Sequence, residues 1–300
     1  MNWINGFEIM CYILTVILIA DMLRKKNIAE LKLFASGAIA GYVLELLTVS
    51  VTDIYYYNPG FWLNLGRVPY QFPVFGGLMW GGLTVCALRI SERMNFGKVM
   101  TAFCTGMLIV SMDILLDVAA IRLDGGFWTW EGRAITTEVT HHIFMSVIWV
   151  NFLGYMLETP MVTWLALKDR DKGDSRPFHR HVLATVLNAL GGIGFVGAGS
   201  LLALWLNSVT DEWFAFVAFI ILWVYVLIRI ILQFLQNKPV ICPRKKQSLL
   251  AVLFFSAMYV YCFAGLISLG IFIVHPWFFV LGLLLFAGSV LIGISEFDLQ

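Results

Sequence analysis

Apolar runs about twenty residues long recur along this chain, separated by short polar stretches. They fall at about 7–23, 31–51, 69–90, 99–123, 143–167, 182–206, 213–236, 248–273 and 277–294. Each approaches the ~20 residues that an α-helix, rising 1.5 Å per residue, needs to cross the hydrocarbon core of a bilayer. A membrane β-barrel would show alternating segments of ~10 residues instead. The pattern predicts an all-α fold, a polytopic membrane bundle of about nine transmembrane helices. The ninth run follows its neighbour through the brief turn His275-Pro276-Trp277 and is short enough to be re-entrant. The first run has no basic segment before it and no small-residue cleavage site after it, so it is expected to stay as a helix.

Composition agrees with the pattern. Apolar residues make up 60% of the chain and charged residues 13%, and the mean hydropathy of +0.84 is beyond what a soluble domain of this length needs. The net charge of +1 points to no partner class. Nucleic acid is not an expected partner, because the basic residues sit in short clusters beside the spans. Those clusters orient the chain. Sixteen of the 20 Lys and Arg residues fall in one set of connections, including Arg24–Lys26, the loop 168–181 and Arg244–Lys246. Only Arg67, Arg122 and Arg133 fall in the opposite set, and Arg229 lies within a span. The positive-inside rule then puts the N-terminus outside and the C-terminus in the cytoplasm, with the cell membrane as the expected location.

The loop Lys168–His181 is the most hydrophilic stretch and divides the chain into a first membrane region, 1–167, and a second, 182–300. The glycine-rich run Gly191–Gly199 lies within a span with no strand before it, so it is read as close helix packing and not as a nucleotide loop. Of the five cysteines (Cys11, Cys86, Cys104, Cys242, Cys262), four lie in apolar runs, and none forms a CxxC pair. No disulfide and no structural zinc are expected.

Against this background three acids stand out. Asp113 and Asp117 lie in the outer half of the fourth run, four residues apart and so on one helix stripe. A charge near mid-bilayer costs ~2.5–3.5 kcal/mol on insertion scales, so the pair must face protein, water or an ion. Glu45 lies several residues below the outer end of the second run and Asn151 eight below the outer start of the fifth. Asp113 is nine residues, ~13 Å, from the outer end of its own. Antiparallel neighbours would bring all four into one polar layer. The alternative reading, interhelical hydrogen-bond glue, usually employs Ser, Thr, Asn or Gln rather than three acids.

The outer loops above this layer are aromatic. Tyr55, Tyr56, Tyr57, Phe61 and Trp62 fall in one, and Phe127, Trp128 and Trp130 in the other. Interfacial belts account for part of this; the rest suits an extended apolar or polyene ligand and a carbocation held by cation–π attraction. Glu138, His141 and His142 have helix-compatible spacing for a metal, but with only five histidines in the chain they read by default as a solvated loop or a helix start. Glu158 is expected to pair locally, and Asp211 and Glu212 to mark a helix N-terminus.

Three stretches, spread over residues 40–160, carry a family resemblance. They are Gly41–Glu45 with the Tyr55–Tyr57 loop and Val68–Trp80, then D-I-L-L-D-V-A-A-I-R-L-D-G-G-F-W-T-W (Asp113–Trp130), then N-F-L-G-Y (Asn151–Tyr155). Together they resemble the membrane-bound carotenoid-biosynthesis family that includes the carotenoid 1,2-hydratases. The chain departs from that pattern at Val118, where the family commonly has proline, and at Ser146–Val150, where it often has Gly-Val-Pro. The resemblance implies a polytopic membrane enzyme of isoprenoid metabolism that adds water across a terminal double bond of a long polyene. It implies Asp113, Asp117 and Glu45 as catalytic residues. Asn151, Tyr55, Tyr56, Tyr57, Trp80, Trp128 and Trp130 would bind substrate, with no cofactor or metal.

Hydration needs an acid to protonate the alkene, a shelter for the tertiary cation and a base to orient water. Two other readings stay open. One is a Mg²⁺-dependent prenyl transferase or terpene cyclase holding a diphosphate on Asp113-Leu-Leu-Asp117. The other is a proton-coupled transporter or lipid-binding protein that uses the acids as a relay.

Overall fold

The computed structural model describes residues 2–52, 54–173, 175–241 and 246–297. Cys242, Arg244 and Lys245, which figured in the cysteine and charge arguments, lie outside the described residues. Among the described residues ten α-helices dominate: α1 (Trp3–Arg24), α2 (Ile28–Val51), α3 (Val74–Ser91), α4 (Lys98–Ala120), α5 (Trp149–Arg170), α6 (Phe178–Val209), α7 (Trp213–Asn237), α8 (Lys246–Ser268), α9 (Ile271–Val274) and α10 (Pro276–Ile294). Eight of them, all but α5 and the one-turn α9, are long and apolar enough to cross a membrane. The fold is an all-α bundle, and the chain is a multi-pass membrane protein. Helix α5 is long enough to cross as well but more polar, because it carries Asn151, Glu158, Thr159 and Thr163, the last three buried.

The apolar runs locate the helices, and local chemistry moves three boundaries. Residues 143–148 are not helical. β5 (Ile143–Phe144) and β6 (Val147–Ile148) form a hairpin whose turn holds Met145 and Ser146 at φ 49° and 74°, so the fifth helix begins at Trp149. The third begins at Val74 rather than 69, behind Pro73, which has no N–H to give a preceding turn. The eighth stops at Ser268, where Gly270 at φ 69° takes the left-handed conformation that ends helices. Pro276 then opens α10, whose 19 residues are one continuous helix of ~28 Å. At the other end of the chain, Asn2 and Asn27 cap α1 and α2 by accepting from the backbone N–H groups of Asn5 and Glu30.

Helices α3 and α4 form the centre. The apolar window of α4 is 83% buried and that of α3 78%, against 22% for α6 and α7. The outer helices present Leu201, Ile221 and Leu235 outward, as lipid contact requires. The helix that carries two aspartates is thus the one best shielded from lipid.

Glycines set the closest approaches. A Cβ on Gly191, Gly192 or Gly199 of α6 would lie 2.4, 2.2 or 2.5 Å from Leu165, Val162 or Leu157 of α5, whereas Gly194 and Gly197 face open space. At the basic end, buried ion pairs tie the helices. Arg89 meets Asp21 at 3.0 Å and Glu30 at 2.6 Å, and Asp169 meets Lys32 and Arg176, each at 2.7 Å.

Short strands organise the opposite end. β1 (Tyr55–Tyr57) pairs antiparallel with β4 (Trp128–Trp130), and β2 (Asn64–Leu65) with β3 (Phe72–Pro73). A last pair, β7 (Val240–Ile241) with β8 (Ser295–Glu296), lies at the basic end.

Candidate functional site

Four helices and one ribbon build a polar pocket. Helix α2 supplies Glu45, and one turn earlier Gly41 leaves its backbone bare. A Cβ there would sit 2.4 Å from Trp80 Cδ1, so the indole of α3 packs directly on α2, on the cavity wall it shares with Glu45. Helix α4 supplies Asp113 and Asp117 one turn apart, and α5 supplies Asn151 and, one turn on, Tyr155.

The ribbon closes the pocket. Side chains alternate along a strand, and the register pairs Tyr55 with Trp130, Tyr56 with Thr129 and Tyr57 with Trp128. Tyr55, Tyr57, Trp128 and Trp130 therefore share the face that covers the acids. Tyr56 turns the other way and packs against Tyr70.

The acids are paired in a defined manner. Glu45 accepts hydrogen bonds from the Tyr55 hydroxyl and, at 3.0 Å, from that of Tyr57. Burial and the neighbouring Glu45 push both phenols well above the ordinary tyrosine range, so they stay donors. Asp117 accepts from Asn151 Nδ2 at 2.6 Å. Asp113 and Asp117 stand one turn apart on α4, both buried. Asp113 Oδ2 and the indole Nε1 of Trp130 are buried without a hydrogen-bond partner.

Both of those residues line a cavity of about 80 Å³, with Glu45, Tyr55, Tyr57, Trp80, Trp128, Asn151 and Tyr155 on its walls. That is room for several waters. Phe7, Phe72, Phe75 and Met79 complete it as an apolar slot. Asp117 stands one layer behind Asp113. Arg122, the basic residue next along from α4, is not aimed at the acids. It donates to the carbonyls of Val118, Thr136 and Met145, and burial pulls its guanidinium down to about 10.

Of the residues singled out in the sequence, Glu45, Asp113, Asp117, Asn151, Tyr55, Tyr57, Trp80, Trp128 and Trp130 meet here; the Tyr56 ring does not. Tyr155 was legible only as part of a motif, although its i+4 position from Asn151 marks the same helix face. Glu158 continues that stripe. Contrary to the expected local pair, it is buried with no hydrogen-bond or ion-pair partner among the described residues. Glu138, His141 and His142 lie in a loop, so the helical spacing that suggested a shared metal is not realised there. No protein family, curated protein or solved structure matches the chain.

Proposed function

We propose that this chain is a cell-membrane enzyme of isoprenoid metabolism that hydrates a terminal double bond of a long polyene such as a carotenoid. The observation that carries this reading is the convergence of two buried acids, Glu45 and Asp113, and the four aromatic rings of the ribbon on one small cavity between membrane-spanning helices, with the buried Asp117 one turn from Asp113. In this reading α5 spans too, which gives nine spans. The N-terminus lies outside, and the pocket opens towards the outer leaflet beneath the β1–β4 ribbon.

The reacting end of the polyene enters the slot while the rest of the chain stays among lipid tails, because the cavity is too small for more. Asp113, which lines the cavity, donates a proton to the terminal alkene carbon. The tertiary cation forms against the faces of Tyr55, Tyr57, Trp128 and Trp130. Water held between Asn151 and the carboxyl pair adds to the cation, and its surplus proton returns to the Asp113/Asp117 pair, so the net change is one water added. Asn151 positions Asp117, and Glu45, fixed by the hydroxyls of Tyr55 and Tyr57, sets the field around the pair. No cofactor takes part.

The walls are acidic, aromatic and apolar, and Arg122 is committed to carbonyls, an arrangement that favours a neutral polyene over a diphosphate. The test is expression in a polyene-producing host followed by mass spectrometry of extracted pigment. A gain of one water is expected, with Asp113→Asn and Asp117→Asn each reducing turnover by about 10²–10⁴-fold, the usual worth of positioned acid–base groups. An unchanged pigment profile, or full activity in both variants, overturns the proposal. Strict Mg²⁺ dependence, or proton-coupled uptake in proteoliposomes without any product, would select one of the other two readings.

A further inference from the structure

A second polar cluster lies at the same end of the bundle, where the loop between β4 and β5 meets the turn joining α6 to α7. His141 and His142 come from the loop, Asp211 and Glu212 from the turn. One possible ligand atom from each of His141, His142 and Asp211 lies within 4.8 Å of the other two. His141 Nε2 is 3.7 Å from Asp211 Oδ2, too far for a hydrogen bond, and it is buried without a hydrogen-bond partner. Two donors on one tetrahedral zinc, each at about 2.0–2.1 Å, stand roughly 3.3 Å apart. The observed gap is within a few tenths of an ångström of that.

The surroundings hold the donors in place. His141 stacks on Trp213 at 4.3 Å with an 8° tilt, and the two imidazoles are 3.8 Å apart. His142 Nδ1 lies 3.1 Å from Glu212 Oε2, where a carboxylate fixes the tautomer and orientation of a metal-bound imidazole. With Nδ1 so held, Nε2 is the nitrogen left to ligate. Asp211 and Glu212 stand at φ 49° and 63°, left-handed conformations that side-chain-bearing residues keep where the surroundings impose them. A cavity of about 200 Å³ opens beside the histidines, bounded by Arg133, Trp149 and Asn207.

We propose that His141, His142 and Asp211 form a binding site for a zinc-class divalent cation, with Glu212 orienting His142. Two imidazoles and a carboxylate are a borderline donor set that suits zinc; magnesium and calcium favour all-oxygen shells. Three protein ligands leave a position for water from the adjoining cavity. The site clamps the loop to the α6–α7 turn. That loop leads directly into α5, and the Trp149 indole donates to Thr140 O at 2.8 Å. A bound ion therefore steadies the helix start from which Asn151 reaches Asp117. This is a structural role, and it stands whether or not the chain hydrates a polyene.

The test uses the full chain in detergent, free of any affinity tag and stripped with a chelator, then dialysed against zinc and analysed for metal content and thermal stability. About one zinc per chain is expected, with a melting temperature that rises with zinc and does not with equal magnesium. Glu212→Gln should weaken binding by about 10–100-fold, as removal of an orienting carboxylate does. Asp211→Asn and the double change His141→Ala with His142→Ala should abolish both binding and stabilisation. A double change of His179 and His181 to Ala should alter neither. Should the His141/His142 variant not fold, Asp211→Asn decides the matter, because that side chain is 83% exposed and bears no packing. Zinc uptake far below one per chain in the wild type, or wild-type uptake in Asp211→Asn, overturns the proposal, as does equal stabilisation by magnesium.

Discussion

Gly41 lets an indole lie where any side chain would forbid it, 2.4 Å from the Cβ it lacks. Gly41→Ala is therefore expected to push Trp80 from the cavity wall it shares with Glu45. Overpacking of this kind costs ~1–3 kcal/mol, so the melting temperature should fall, and turnover should fall further than the stability loss explains. Unchanged turnover would show that the placement of Trp80 is idle. Glu158 gives the opposite case. A buried carboxyl without a partner destabilises the fold by about 1–3 kcal/mol, so Glu158→Leu should raise the melting temperature. A decrease would mean that the folded protein gives Glu158 a partner after all. At this scale the sequence was informative about charge and weak about partners. Two aspartates one turn apart in an apolar run are visible by themselves. The Tyr57–Glu45 hydrogen bond depends on how a loop folds back over its helix, which no local pattern encodes.

The element that completes the site is the β1–β4 ribbon. Its strands are more than seventy residues apart in the chain, so their pairing follows from where α2 and α4 end and not from any local signal. That is why three tyrosines looked equivalent in the sequence and are not equivalent in the fold. Trp128→Ala and Trp130→Ala should each lower apparent substrate affinity by about tenfold, the equivalent of ~1.4 kcal/mol. Tyr56→Ala, on the outer face, should change it far less. A Tyr56 effect as large as those of the tryptophans would mean that substrate contacts the outside of the ribbon. Helices were legible because each apolar run is sufficient to specify one. The hairpin at 143–148 was not, because its residues are as apolar as a helix and only the left-handed pair Met145-Ser146 breaks the run. At the basic end, Asp169 holds Lys32, which is 7% exposed. Asp169→Asn should destabilise the bundle by about 3–5 kcal/mol by leaving that ammonium buried and unpaired, which a melting curve in detergent reads directly.

For the whole molecule the two ends differ in chemistry, and their assignment to the two sides of the membrane decides which leaflet the site serves. One end carries the ion-paired basic loops; the other carries the aromatic ribbon, the acid pocket and the histidine cluster. In the proposed topology, which follows the positive-inside rule, the basic end lies in the cytoplasm. Ile135, 58% exposed in the loop after β4, and Lys172, exposed in the turn after α5, sit on opposite ends and suit a labelling experiment in a cysteine-free background. With Ile135→Cys an impermeant thiol reagent added to intact cells should react; with Lys172→Cys it should react only after the cells are opened. That outcome would let substrate reach the cavity from the outer leaflet, with water drawn through the outer loops. The reverse outcome would invert the chain and place the acids beside the cytoplasm. A soluble diphosphate and Mg²⁺ are abundant there, and the prenyl-transfer reading would then gain over hydration.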